Sequence, residues 1–211
     1  VILYLIRHGE TAYNRDGVSL GRKDVGLTPF GERQAAAVAR ALAKQPLDHI
    51  LSSPLARALA TASALGSARG VKPEVRNELI ELDAGEAEGL TFPELRERFA
   101  VFLSEWAGPN GHEAVMPGGE SICDLDRRLG PFIEEVRHAS ATAVAVVSHN
   151  FVLRVLACRL MGLGAASFRN VVFDVASISA FAIDPGRVVV LKLNDVCHLD
   201  VLNLDQGGRT V

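Results

Sequence analysis

The sequence predicts an α/β fold with a mainly parallel sheet, on three observations. Short apolar runs alternate with helical patterns along the chain. Two of those runs, Val1–Ile6 and Thr142–Ser148, are apolar almost throughout, as strands buried on both faces are. Each leads into a histidine, His8 and His149, so both strands deliver an imidazole to the C-terminal edge of the sheet, where α/β sheets bind ligands.

The elements follow in order. Val1–Ile6 reads as the first strand, and a loop rich in glycine and charge follows over Asn14–Gly26. Thr28-Pro29 is an N-cap followed by proline at the first helical position, opening an alanine-rich helix through Leu42. Asp48–Ser52 is a second strand. Ser53-Pro54 repeats the cap-plus-proline signature and opens a helix through Leu55, Leu59, Ala62 and Leu65, ending near Gly66. Val71–Arg76 is a weaker strand, followed by a loop of acids and glycines over Glu78–Gly89.

Thr91–Trp106 has helical spacing at Phe92, Leu95, Phe99 and Phe102. Gly108–Gly119 is a flexible segment before a helix over Ile122, Leu125, Leu129 and Ile133–Val136. Phe151–Met161 reads as a helix stopped by Gly162. The strands Ser177–Ile183 and Arg187–Leu193 flank the turn Asp184-Pro185-Gly186 and add an antiparallel edge. With no repeat and no linker, residues 1–211 form a single domain. Asn14–Gly26 and Gly108–Gly119 are loops over a site, and Gln206–Val211 is a mobile tail.

Composition narrows the class. The chain has 211 residues, 48% of them hydrophobic, which is enough for a sizeable core. A net charge of −3 does not suggest binding to nucleic acid or to a membrane surface. No apolar run approaches the roughly 20 residues of a membrane span, and a cytoplasmic protein is the expectation. The three cysteines, Cys123, Cys158 and Cys197, are scattered without zinc spacing and read as small buried apolar residues.

The chemistry gathers at one edge. Arg7-His8-Gly9-Glu10-Thr11 follows the first strand, and the glycine lets an anion approach the backbone. Arg57 lies in the first turn of the helix after Ser53-Pro54, whose free amides favour an anion. Arg7, Arg57 and a protonated His149 would then surround a dianion with charge-assisted donors.

Taken in order, these motifs resemble the histidine phosphatase superfamily, branch 1. The resemblance is carried by Arg7-His8-Gly9-Glu10-Thr11 with Asn14, and by Gly21-Arg22-Lys23-Asp24-Val25 with Leu27-Thr28. It continues through Ser52-Ser53-Pro54-Leu55 with Arg57, then Leu79, Glu81, Asp83, Gly85 and Glu88-Gly89. Pro117-Gly118-Gly119-Glu120-Ser121 and Val147-Ser148-His149 complete it. It implies a three-layer αβα sandwich and a phosphomonoesterase acting on a small phosphorylated metabolite.

By the same resemblance, His8 is the nucleophile and Glu81 the proton donor, then the base for water. Arg7, Arg57 and His149 bind the phosphoryl group, with Asn14, Gly21 and Asn150 also in the pocket. His8 must be neutral, with its other ring nitrogen donating to a backbone carbonyl, and Glu81 must have a raised pKa. No metal and no cofactor are implied.

The chain departs from the pattern at Leu20, where glutamine is frequent, and at Ala84 and Ala87, where phenylalanine and tryptophan are frequent. It departs again at Asn150, where glycine is frequent. Smaller residues at Ala84 and Ala87 would either open the pocket or be compensated by their neighbours. Two alternatives stay open: a phosphoglycerate mutase primed by 2,3-bisphosphoglycerate, and a non-catalytic phospho-ligand or protein-binding module. The short segment Thr91–Gly119 favours hydrolysis over the mutase. A homodimer is also left open.

Overall fold

A computed structural model describes residues 1–67 and 69–202. The expected tail Gln206–Val211 lies outside the described residues. The strands are β1 Ile2–Arg7, β2 His49–Ser52, β3 Glu74–Val75, β4 Ala143–Ser148, β5 Ile178–Asp184 and β6 Arg187–Asp195. They form one sheet in the order β3-β2-β4-β1-β5-β6. β1, β2, β3 and β4 pair in parallel, and β5 and β6 add the antiparallel edge. The helices are α1 Ala12–Arg15, α2 Pro29–Ala41, α3 Ala56–Ser67, α4 Phe92–Arg98, α5 Ala100–Ala107, α6 Ile122–Arg137 and α7 Asn150–Leu160.

Successive strand residues point to opposite faces, and here both faces are covered. Leu3 and Leu5 of β1 and Val144 and Val146 of β4 join one core, with Leu125 and Leu129 of α6 and Val152 and Leu156 of α7. Tyr4, Ile6, Ala145 and Val147 join the other, with Val38 of α2 and Ala58, Ala62 and Leu65 of α3. The result is the expected three-layer sandwich. Among the described residues, no helix is long and apolar enough to cross a membrane.

Register brings the site together. Arg7 of β1 lies opposite Ser148 of β4, and Val147 lies opposite Ser52 of β2. The three strands therefore end within one residue of one another, and His8, His149 and Ser53 leave the sheet at the same edge.

Five local expectations differ from the structure, each for a physical reason. The helix expected from Ser53 begins at Ala56, whose amide donates to the Asp24 carboxylate at 2.7 Å; a residue from the preceding loop supplies the cap. The strand expected over Val71–Arg76 shrinks to Glu74–Val75. The Val71 amide is already bound to Gly66 O, and Pro73 has no amide to donate. The helix expected over Thr91–Trp106 breaks at Phe99 (φ −131°, ψ 42°) into α4 and α5. Leu95, Phe102 and Trp106 all pack on the core, while the half-exposed Phe92 turns to a cavity that Leu95 also lines, so the α4 side serves the cavity as well as the core. The expected loop Asn14–Gly26 opens inside α1, held by a capping box between Thr11 and Asn14. Of the cysteines only Cys158 is buried; Cys123 is partly buried and Cys197 is exposed.

Two glycines permit a contact that no side chain would. A Cβ on Gly31, in the first turn of α2, would sit 2.1 Å from Glu10 O, and one on Gly9 would sit 2.5 Å from Gly31 O. This close approach seats α2 against the loop that carries His8. Gly31→Ala is therefore expected to lower stability by about 1–3 kcal/mol through overpacking; a thermal melt of the variant checks it.

Candidate active site

His8 is only 3% exposed. Its Nδ1 lies 2.7 Å from Gly9 O, and a carbonyl only accepts, so Nδ1 carries the hydrogen and Nε2 keeps its lone pair. Gly9 is held in turn: its amide donates to Thr61 Oγ1 at 3.1 Å, and that hydroxyl donates to Arg57 O. Burial, then the nearby Arg57 and Arg7, push the His8 pKa well below the ordinary histidine value. The ring is neutral across the physiological range.

Arg7 and Arg57 supply the cations. Arg7 Nη1 donates to Phe173 O at 2.6 Å, while its buried Nε–H has no partner among the described residues. Burial lowers the Arg7 pKa to about 10, which leaves it charged at neutral pH. Arg57 is 1% exposed and is anchored at three nitrogens. Nε donates to His149 Nδ1 at 3.2 Å, Nη1 to Lys23 O at 2.8 Å and Nη2 to Gly21 O at 2.7 Å. A guanidinium has five N–H bonds, so one on each terminal nitrogen is left over, and Arg57 lines the cavity.

Glu81 is 4% exposed, at the start of α7. Its carboxyl accepts from Leu82 N at 2.9 Å, Phe151 N at 3.3 Å and Val152 N at 3.4 Å. Burial raises its pKa; those amides and the charges of Arg57 and Arg7 oppose the shift without cancelling it. The direction agrees with the expectation, but the cause is burial rather than a bound anion.

Three expected site residues differ in placement from one another. Asn14 lines the cavity, with Oδ1 bound to the Thr11 amide and hydroxyl. Asn150 also lines it, and its Oδ1 accepts from Arg154 Nε at 3.0 Å, which leaves the NH2 group unclaimed. Gly21 lies behind Arg57, with its carbonyl on the guanidinium; a Cβ there would sit 2.8 Å from Ala84. It positions the arginine and is not among the residues lining the cavity.

His149 differs most from expectation. It is completely buried, with its ring centroid 5.1 Å from that of His8. Arg57 can only donate, so Nδ1 accepts, and Nε2 carries the hydrogen toward Ser53 Oγ at 2.7 Å. Both nitrogens are engaged by protein. Burial, Arg57, His8 and Arg7 all push its pKa well below the ordinary value. The protonated donor expected from the sequence is here a neutral ring that braces Arg57.

Several supporting residues lie in the quoted motifs without a role read for them, or with another one. Ser53, read as a helix cap, accepts from the Leu55 amide at 3.3 Å and also serves His149. Glu88 accepts from the Gly21 and Lys23 amides, both at 2.8 Å, shaping the loop whose carbonyls hold Arg57. Glu120 bridges Arg22 at 2.7 Å and Arg128 at 3.2 Å, and both arginines donate to Glu81 O. Arg128 lies outside those motifs yet has its own signal: a charge between the buried Leu125, Leu129 and Phe132 of α6 calls for a buried partner. Glu120 is 22% exposed, so Glu120→Ala is expected to cost about 1–2 kcal/mol. It is also expected to lower kcat about tenfold by loosening Glu81. A thermal melt and steady-state kinetics on the same preparation measure both.

The cavity these groups share has a volume of about 990 Å³. Arg7, His8, Arg57, Glu81 and Asn150 contribute its charged and polar end. A neutral imidazole, cations with unused donors and a buried acid at one end of a cavity suit transfer of an anionic group to nitrogen.

Comparison with known proteins agrees. The family model "Histidine phosphatase superfamily (branch 1)" matches residues 3–196. Phosphoserine phosphatase 1 of Hydrogenobacter thermophilus is 35% identical over 201 residues, covering 94% of each chain. A Yersinia pestis protein named "Probable phosphoglycerate mutase GpmB" is 32% identical over 98% of this chain and 99% of its own length. The crystal structure of the alpha-ribazole phosphatase from Shigella flexneri superposes with a TM-score of 0.84 at 31% identity, covering 92% of this chain and 96% of that one. The chain belongs to the histidine phosphatase superfamily, branch 1, and is a phosphoric monoester hydrolase.

Proposed function

We propose that the protein hydrolyses a small phosphorylated metabolite through a phosphohistidine on His8. His8 Nε2 attacks phosphorus as the ester P–O bond breaks, and Glu81 gives its proton to the leaving oxygen. Water then loses a proton to Glu81 and attacks phosphorus; the P–N bond breaks and its electrons return to Nε2. Arg7 and Arg57 bind the equatorial oxygens, and the Asn150 NH2 and Asn14 lie beside them. His149 braces Arg57.

The observation that carries this reading is the His8 tautomer. With Nδ1–H on Gly9 O, the lone pair sits on Nε2, in the cavity that Arg7 and Arg57 also line. Hydrolysis is favoured over the mutase by the segment Thr91–Gly119. It contributes apolar lining residues, Phe92, Leu95 and Met116, and no cation that would hold the second charge of a phosphoglycerate.

A panel of phosphomonoesters with inorganic phosphate as readout tests the reading. Turnover of at least one ester is expected. Conversion of 3-phosphoglycerate to 2-phosphoglycerate that depends on the bisphosphate primer would favour the mutase. Phosphate binding without any turnover would favour a binding module.

A further inference from the structure

The charged end of the cavity accounts for the phosphoryl group and little more. What remains is large: about 990 Å³ lies at the top of the range for pockets that enclose drug-sized ligands. The wall beyond the catalytic groups is apolar along one side, formed by Val18, Leu20, Leu90, Phe92, Leu95 and Met116. Phe151 also lines the cavity, and its amide binds the Glu81 carboxyl.

The other charges in the wall have contacts of their own, although Arg33, Glu10 and Asp174 keep their charge, since an aromatic face, a hydroxyl and an amide do not neutralise it. Arg15 is paired with Asp16 at 2.8 Å. Arg33 stacks on the Phe30 ring, 5.3 Å from its centroid. Glu10 accepts from the Thr28 hydroxyl at 2.7 Å, and Asp174 from Asn194 Nδ2 at 2.9 Å. A zwitterionic leaving group would need a buried anion and a buried cation of its own, and burying its charges unpaired is costly. The apolar side, Val18, Leu20, Leu90, Phe92, Leu95 and Met116, offers neither. It offers area for carbon, enlarged where Leu20 and Ala84 meet the cavity.

We infer that the leaving alcohol of the substrate carries a bulky apolar or aromatic group, seated against Leu20, Phe92, Leu95 and Met116. This rests on the phosphatase reading and adds the class of substrate to it. The inference separates an apolar phosphomonoester from a phosphorylated amino acid as the preferred substrate.

The test compares two esters of primary alcohols, naphthylethyl phosphate and O-phosphoserine, so that chemistry at phosphorus is matched. The kcat/KM for the first is expected to exceed that for the second by about 50-fold or more, mostly through KM. Leu20→Gln and Phe92→Ser each place a polar group in the wall and are expected to cut that ratio about fivefold. Phe92 is 56% exposed, so its variant keeps the fold. Equal or better use of O-phosphoserine overturns the inference while leaving the phosphatase reading intact. So does a ratio that neither variant moves. Failure of both esters, with no phosphate on His8, overturns the phosphatase reading itself and the inference with it.

Discussion

His8→Ala is expected to reduce turnover of every phosphomonoester by about 10⁴-fold or more. The covalent step needs a nitrogen lone pair facing phosphorus. The neighbouring imidazole cannot take over, because His149 Nδ1 is bound to Arg57 and Nε2 faces Ser53. The loss should appear in kcat/KM for good and poor leaving groups alike, since the nucleophile is required for both. The fold should survive, with a modest fall in Tm from the lost bond to Gly9 O. Arg7 and Arg57 remain, so inorganic phosphate should still bind. Retained turnover within tenfold of the parent would remove His8 from the mechanism.

Glu81→Gln should have the second largest effect, and its pattern is more telling than its size. For an alkyl ester, the leaving oxygen needs a proton, and losing the acid should lower kcat by about 10²–10⁴-fold. For a nitrophenyl ester the leaving group departs as a stable anion, and phosphorylation of His8 should fall far less. The pH profile follows from two shifts of opposite sign. Glu81 has a raised pKa and acts as an acid only when protonated, so kcat/KM for the alkyl ester falls as pH rises through that pKa. His8 has a depressed pKa and attacks only when neutral, so activity is lost only when pH falls through a value well below the ordinary one. The alkyl-ester profile should therefore have an alkaline limb set by Glu81 and an acid limb set by His8. Glu81→Gln should flatten the alkaline limb and leave the acid limb in place. A parent-like alkaline limb in the variant would assign the acid to another group.

The site was legible where one stretch of chain fixed both the element and its end. β1 and β4 are continuous apolar runs, each followed by a histidine, and their register does place the two rings together. Thr28-Pro29 caps α2 as read, because cap and helix are adjacent in sequence. What escaped was long-range. Ser53-Pro54 carries the same local signature as Thr28-Pro29, yet Ser53 meets only the Leu55 amide, the first α3 amide is met by Asp24, and Ser53 also binds His149. Nothing within a helical window reveals a partner 96 residues away.

The charge of His149 was misjudged for the same reason. An anion at the site argues for imidazolium, but complete burial beside Arg57 argues more strongly for the neutral ring, and burial is a property of the fold. The break at Phe99 escaped because one helical period served two packing targets. The bracing of Glu81 O by Arg22, Glu120 and Arg128 joins three parts of the chain that only the folded sheet brings together.

The central claim is that phosphate passes through His8 Nε2. The direct measurement is to mix enzyme with a hydrolysed ester, quench in alkali within milliseconds to preserve the acid-labile P–N bond, and map the phosphate by tandem mass spectrometry. The structure predicts phosphate on the peptide containing Arg7-His8-Gly9, attached at Nε2, appearing no slower than turnover and absent from His8→Ala. Steady hydrolysis with no phosphate on His8 at any time, or with phosphate on another residue at a kinetically competent rate, would contradict it.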